Sequence, residues 1–220
     1  GYYIRHHMDE TPEFSAAEAS ASPLSDMFAG QKLRLLVTVG FVALGSVGNY
    51  LALYMPTYSI RQLGLPPTIG FLATLVTGVI MTVGSPFIGS LADRIGPARI
   101  MTAAALLTAA LCYPLFYLLV SYPTVGVLMI VQVILGVLAT AYFAPMPALM
   151  SAIFPVQVRT TGLSLGYNIA VTIFGGFAPF ILTWLIATTD SKLSPSYYLL
   201  AIALMALVSL NVARRTFQQR

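Results

Sequence analysis

Six long apolar runs constrain this chain more than any other feature. They cover roughly residues 33–60, 68–91, 99–120, 124–149, 161–188 and 196–213. A helix needs about 20 predominantly apolar residues to cross the hydrocarbon core of a bilayer, and each run is near or above that length. In lipid the backbone must satisfy its own hydrogen bonds, which leaves helices and closed barrels as the spanning structures. The runs are too long for barrel strands and do not alternate apolar with polar residues. The reading is therefore an all-α integral membrane fold of six transmembrane helices. The breaks carry turn or charge signals: RQLGLPP at 61–67, DRIGPAR at 93–99, SYPT at 121–124, FPVQVRTTG at 154–162 and TDSKLSPS at 189–196.

Composition argues against a soluble domain. The chain is 58% hydrophobic and 8% charged, with a mean hydropathy of +0.84, where a soluble domain carries about 25% charged residues. The net charge of +4 is spread along the chain, with no basic patch interleaved with aromatics, so no nucleic-acid partner is expected. Cys112 stands alone in an apolar run and reads as packing. His6 and His7 are adjacent but unsupported by a Cys or carboxylate cluster, so neither a metal site nor a cofactor is expected. The runs contain no H-E-x-x-H, no Ser–His pair and no Asp pair, so the chain is not read as an enzyme.

Residues 5–32 are polar or small and hold five of the seven acids, namely Asp9, Glu10, Glu13, Glu18 and Asp26, as a solvated linker would. With that linker cytoplasmic and six spans alternating, nine of the eleven basic residues fall inside and only Arg61 and Lys192 outside. The positive-inside rule then puts both termini on the cytoplasmic side, with membrane lipid around the spans. No ionisable side chain lies in the middle of a run. A proton-coupled transporter normally needs one, so any coupling group would lie on another segment of polypeptide.

The uncharged polar residues inside the runs are the site candidates. The fifth run carries Ser164, Asn168 and Thr172 on one helical face, with Tyr167 beside them. They read either as hydrogen-bonding glue between helices or as the lining of a cavity. The first run carries Asn49, then Tyr50, Tyr54 and Tyr58 at helical spacing, with Pro56 favouring a kink. Tyr58 reads as an interfacial belt residue and Tyr50 and Tyr54 as cavity candidates. The fourth run carries Gln132, Gly136 and Thr140 on one face, with Tyr142 a weaker candidate. Gly162, Gly166, Gly175 and Gly176 suit close helix packing, and Trp184 suits an interfacial anchor.

Two stretches carry a resemblance. GSLADRIGPAR, residues 89–99, resembles the loop motif G-x-L-x-D-R-x-G-[RK]-x-[RK] of the major facilitator superfamily, matched at Gly89, Leu91, Asp93, Arg94, Gly96 and Arg99 and departing at Pro97. Its glycines allow a tight turn and close packing, Asp93 can cap a helix N-terminus, and the arginines hold the loop on the inner face. FPVQVRTTGLSLGYNIAVTIFGGFAPF, residues 154–180, resembles the start of the eleventh helix in the metabolite:proton symporter family. It matches at Arg159, Gly162, Ser164, Leu165, Tyr167, Asn168, Gly175, Gly176 and Pro179. Ala152 departs from that pattern, where the family often has a Glu.

The opening YYIRHHMDETPEF is similar to that family's exit from helix six into its central loop. The resemblance implies the C-terminal half of a twelve-helix transporter. Residues 1–32 would end a preceding helix and form the cytoplasmic central loop, 33–213 would form the six-helix bundle, and 214–220 would be a cytoplasmic tail. The implied function is proton-coupled symport of a small organic acid, citrate-like or a dicarboxylate, by alternating access in the bacterial inner membrane. A proline/betaine-type symporter half and a truncated, non-transporting remnant are the alternatives.

The implied partner is an N-terminal six-helix half, covalent or separate, that carries the proton-bearing carboxylates. This half would supply a neutral wall of Tyr50, Tyr54, Gln132, Tyr167 and Asn168. The cytoplasmic gating motif would be Gly89, Asp93, Arg94, Gly96, Arg99 and Arg159, with Asp93 reaching toward a helix of the other half.

Overall fold

The structure, a computed structural model, describes residues 27–217 apart from Ala29; the readings of residues 1–26 and 218–220 lie outside the described residues. These residues form α1 (Lys32–Leu63), α2 (Pro67–Ile95), α3 (Pro97–Ser121), α4 (Val125–Phe143), α5 (Met146–Ile153), α6 (Arg159–Ala170), α7 (Ala178–Thr189) and α8 (Ser194–Thr216). Among the described residues there is no strand. Among the described residues, six helical segments are long and apolar enough to cross a membrane: α1, α2, α3, α4 with α5, the run from Val156 through α6 to Thr189, and α8.

The bundle is built around α1, which packs against α2, α4, α5, α6, α7 and α8. Of its most apolar window 67% is buried, against 11% for α2 and 28% for the Val156–Thr189 span. Opposite α1, α3 packs against α8, α4 and α2. Phe87, Phe180 and Leu36 are each more than two-thirds exposed. Such faces would be a liability in water, but they are the ordinary surface of a bundle solvated by lipid tails.

Two contacts fix how the helix ends line up. The Arg34 guanidinium stands 5.1 Å over the Phe217 ring, joining the start of α1 to the end of α8. At the other end of α1, Tyr58 Oη donates to the Lys192 carbonyl at 2.7 Å. Lys32, Arg34, Arg214 and Arg215 therefore share one end of the bundle, and Arg61 and Lys192 the other. Tyr58 is not the interfacial residue expected. It is fully buried, with its ring edge-on to Phe116 at 5.6 Å, because its hydroxyl finds the loop carbonyl without reaching water.

Proline and π-helical breaks are repaired by neighbouring side chains. Pro56 lies inside α1 and has no N–H for the Ala52 carbonyl one turn earlier. Thr74 Oγ1 on α2 stands 3.3 Å from that carbonyl and 3.2 Å from its own Gly70 carbonyl, so its one proton serves both. Between α6 and α7 the chain makes a π-helical turn, Val171–Gly176. In that register the Phe174 carbonyl looks to residue 179, which is a proline. Tyr198 Oη on α8 donates to it at 3.0 Å. A free carbonyl in hydrocarbon would cost several kcal/mol, on the order of the value for any unsatisfied backbone group there.

The charged turn differs from its expected form. Asp93 and Arg94 belong to the last turn of α2, and Gly96 alone connects α2 to α3. Its φ of 104° is a conformation that side-chain-bearing residues rarely adopt. Pro97 stands at the first position of α3, and no side chain caps that helix. Asp93 thus does not cap α3, and it is exposed at the end of α2. Arg99 Nη1 reaches back toward the Ile95 carbonyl at 3.5 Å. Gly89 packs nothing closely either: no atom lies within 4 Å of where its Cβ would stand.

Candidate functional site

The side chains of α6 explain why one face opens. Gly162, Gly166 and Ala170 recur every four residues and are buried. A Cβ on Gly166 would stand 2.7 Å from Thr38 Cγ2, so α6 sits tightly on α1. The opposite face of the same helix carries Ser164, Tyr167 and Asn168, all exposed, and Thr172 continues it beyond the helix.

Ser164, Tyr167 and Asn168 form one wall of an open groove of about 450 Å³, closed on the other side by Phe143, Met146 and Met150 of α4 and α5. That volume lies within the roughly 300–1,000 Å³ of small-molecule sites. Asn168 Nδ2 donates to the Ser164 carbonyl at 2.7 Å. This holds the amide in place and leaves its oxygen and second N–H for the groove. Among the described residues, no carboxylate, histidine, lysine or arginine lines it. The wall can donate and accept hydrogen bonds but cannot balance a charge.

The remaining candidates from α1 do not line this groove. Tyr50 covers the π-helical turn: a Cβ on Gly175 would stand 2.9 Å from two of its ring carbons. Tyr54 is 6% exposed, with its hydroxyl 3.1 Å from Thr183 Oγ1. Thr183 gives its single proton to the Pro179 carbonyl at 2.8 Å, so Tyr54 is the donor in that pair. Both tyrosines brace the fifth span against α1, because its glycines let the rings in close.

Gln132 faces a different space. It is 1% exposed, and neither its Oε1 nor its Nε2 has a hydrogen-bond partner among the described residues. It borders a small, partly open cavity of about 40 Å³ among α1, α2, α3, α4 and α8, with Thr77, Thr108 and Tyr142 also on the wall. Such a volume is too small for an organic acid. Tyr142 Oη donates to the Phe41 carbonyl at 2.8 Å and is committed to structure.

Of the five wall candidates, the structure brings Tyr167 and Asn168 together and sets Tyr50, Tyr54 and Gln132 elsewhere. Of the motif residues, Arg159 opens α6 and its Nε donates to the Phe154 carbonyl at 3.4 Å, closing the turn before the helix. Asp93, Arg94 and Arg99 are exposed around the α2–α3 turn.

Some contributors escaped the sequence reading. The fourth apolar run breaks at Ala144 and Pro145, and the separate helix α5 that follows supplies the groove's second wall. The pair of prolines in APMP was the available signal. Tyr198 and Thr183 hold the π-helical turn and its helix, with nothing in their spacing to mark them.

Comparison with known proteins bears on this geometry. Residues 37–218 match the model of the Major Facilitator Superfamily. The citrate-proton symporter of Klebsiella pneumoniae is 30% identical over 212 residues, covering 94% of this chain and 48% of the relative. The ectoine/proline transporter ProP of Corynebacterium glutamicum is 28% identical over 223 residues, covering 94% of this chain and 44% of the relative. A putative proline/betaine transporter of Staphylococcus aureus is 32% identical over 212 residues, covering 93% and 45%. The chain thus spans a little under half the length of these relatives, all of which are transporters rather than enzymes. With six membrane-length helices and a family match over most of its length, the chain belongs to the major facilitator superfamily.

Proposed function

We propose that this chain forms one half of a proton-coupled symporter for a small organic solute, with the α6 groove as its share of the solute path. The observation that carries the reading is the neutral groove of solute size, bearing Tyr167 and Asn168, on one of the two least buried spans. In the superfamily's architecture, two six-helix halves face each other across a midplane site and rock about it. A groove open on one side is what such a half presents. The names of the relatives, a citrate-proton symporter and proline or betaine transporters, support both the solute class and the coupling to protons.

The solute is a small organic acid, citrate-like or a dicarboxylate, whose oxygens take the amide of Asn168 and the hydroxyls of Tyr167 and Ser164. The countercharge and the proton carrier come from the opposing N-terminal half. A zwitterion of the proline or betaine type is the second reading, favoured by a groove that offers no cation of its own. Tyr50 and Tyr54 act on the solute path indirectly, by bracing the π-helical turn.

The chain sits in the bacterial inner membrane, with the Lys32 end of the bundle at the cytoplasmic face, where most of the basic residues gather. Exposed Asp93 and Arg94 and the unfilled flank of Gly89 form the surface that a helix of the other half approaches. Together with Gly96, Arg99 and Arg159 they make the cytoplasmic gate.

The test is cysteine accessibility in the transporter assembled with its N-terminal half, in a Cys112→Ala background. A polar maleimide should modify Asn168→Cys, and solute should protect it. Val208→Cys, on an exposed apolar face of α8, should stay unmodified. Equal reactivity of the two positions would place the α6 groove against lipid and end the proposal.

A further inference from the structure

We propose that the small, partly open cavity beside Gln132 is a water-binding site, in which a small cluster of waters joins α4 to α2 and α3. This site is separate from the α6 groove and does not depend on what the groove binds.

A glutamine side chain has two N–H donors and a carbonyl oxygen with two lone pairs. Gln132 is 1% exposed, and both of its polar atoms lack a partner among the described residues. Buried polar groups are almost always hydrogen-bonded, and a group left without a partner in a low-dielectric interior carries its full desolvation cost. Gln132 itself lines a cavity of about 40 Å³. A water needs roughly 10–15 Å³ of such space and two to four polar partners, so the cavity accommodates about three.

The walls supply those partners. Thr77 and Thr108 bring hydroxyls from α2 and α3. Thr77 Oγ1 turns its proton toward the Ala73 carbonyl at 3.2 Å and the Gln132 carbonyl at 3.4 Å, which leaves its lone pairs to accept. On α1 the wall includes Gly48, and no atom lies within 4 Å of where its Cβ would stand. Gly48 therefore leaves room that a larger residue would occupy.

Size and charge exclude the other occupants. The space is too small for an organic acid or an acyl chain. No acid borders it, so a bare cation would lack both countercharge and a full shell of oxygens. Water is the one ligand that can both donate to Gln132 Oε1 and accept from its Nε2.

The test is a structure of the full chain at a resolution that shows waters, with crystals also pressurised with xenon. Apolar cavities stay dry and take xenon. The wild-type protein should show water density within about 3 Å of both Gln132 amide atoms and no xenon. Gln132→Met keeps the side-chain length but removes the amide. It should lose those peaks and admit xenon. Gly48→Ala keeps the amide and takes up volume, so it should lose at least one peak, a readout that survives if the Met variant fails to fold. The proposal is overturned if xenon enters the wild-type cavity, or if the Gln132 amide turns onto protein groups with no water beside it.

Discussion

The hydroxyl of Tyr198 donates to the main-chain carbonyl of Phe174 at 3.0 Å, tying α8 to the π-helical turn of the fifth span. The bond exists because that turn points the carbonyl at a proline. Tyr198→Phe removes only the hydroxyl and should lower stability by about 0.6–2 kcal/mol, the range for a hydrogen bond between membrane helices. Thermal unfolding in detergent measures it. An unchanged melting temperature would mean that the turn satisfies itself.

The same turn predicts a steric effect. A Cβ at Gly175 would stand 2.9 Å from Tyr50 ring carbons and 3.1 Å from Ser46 Cβ. Gly175→Ala should destabilise by about 1–3 kcal/mol, as overpacking does. Adding Tyr50→Ala should recover part of the loss relative to the sum of the single changes. A double-mutant cycle reads that coupling directly, and strict additivity would show that the two residues do not meet.

Thr74 carries the corresponding repair at Pro56. Thr74→Val keeps the shape, deletes the hydroxyl and leaves the Ala52 carbonyl without its donor. A loss of about 0.6 kcal/mol or somewhat more is expected, and Thr74→Ser should restore stability. If serine and valine behave alike, the methyl group rather than the hydroxyl is what α1 needs.

The groove makes a functional prediction. In the assembled transporter, Asn168→Ala should raise KM for the solute about tenfold, equivalent to about 1.4 kcal/mol of binding. Tyr167→Phe, which keeps the ring, should raise it less. Uptake kinetics over a range of solute concentrations checks both. A pure fall in turnover with KM unchanged would assign Asn168 to helix packing instead.

The fold class was legible because six runs of membrane length leave few alternatives. The exposed stripe of Ser164 and Asn168 was legible because helical periodicity placed its residues on one face. Gln132 shows where periodicity stops: spacing indicates that residues share a face but not which neighbour that face meets, and its face meets α2 and α3 at a cavity of about 40 Å³. Tyr58 was misread for the same reason, since an aromatic near a helix end looks interfacial unless a loop carbonyl waits for its hydroxyl. The motif turn was read one helical turn too loosely, because Gly96 at φ 104° closes it in a single residue.

If this bundle works as one half of a solute path, uptake should need both halves. Labelled citrate and labelled proline can be followed in cells making the chain alone, an N-terminal half of a matched symporter alone, or the two together. Neither half alone should show proton-driven uptake, and the pair should show uptake that an uncoupler abolishes. Uncoupler-sensitive uptake by this chain alone, or none by a pair that co-purifies as a stable complex, would contradict it.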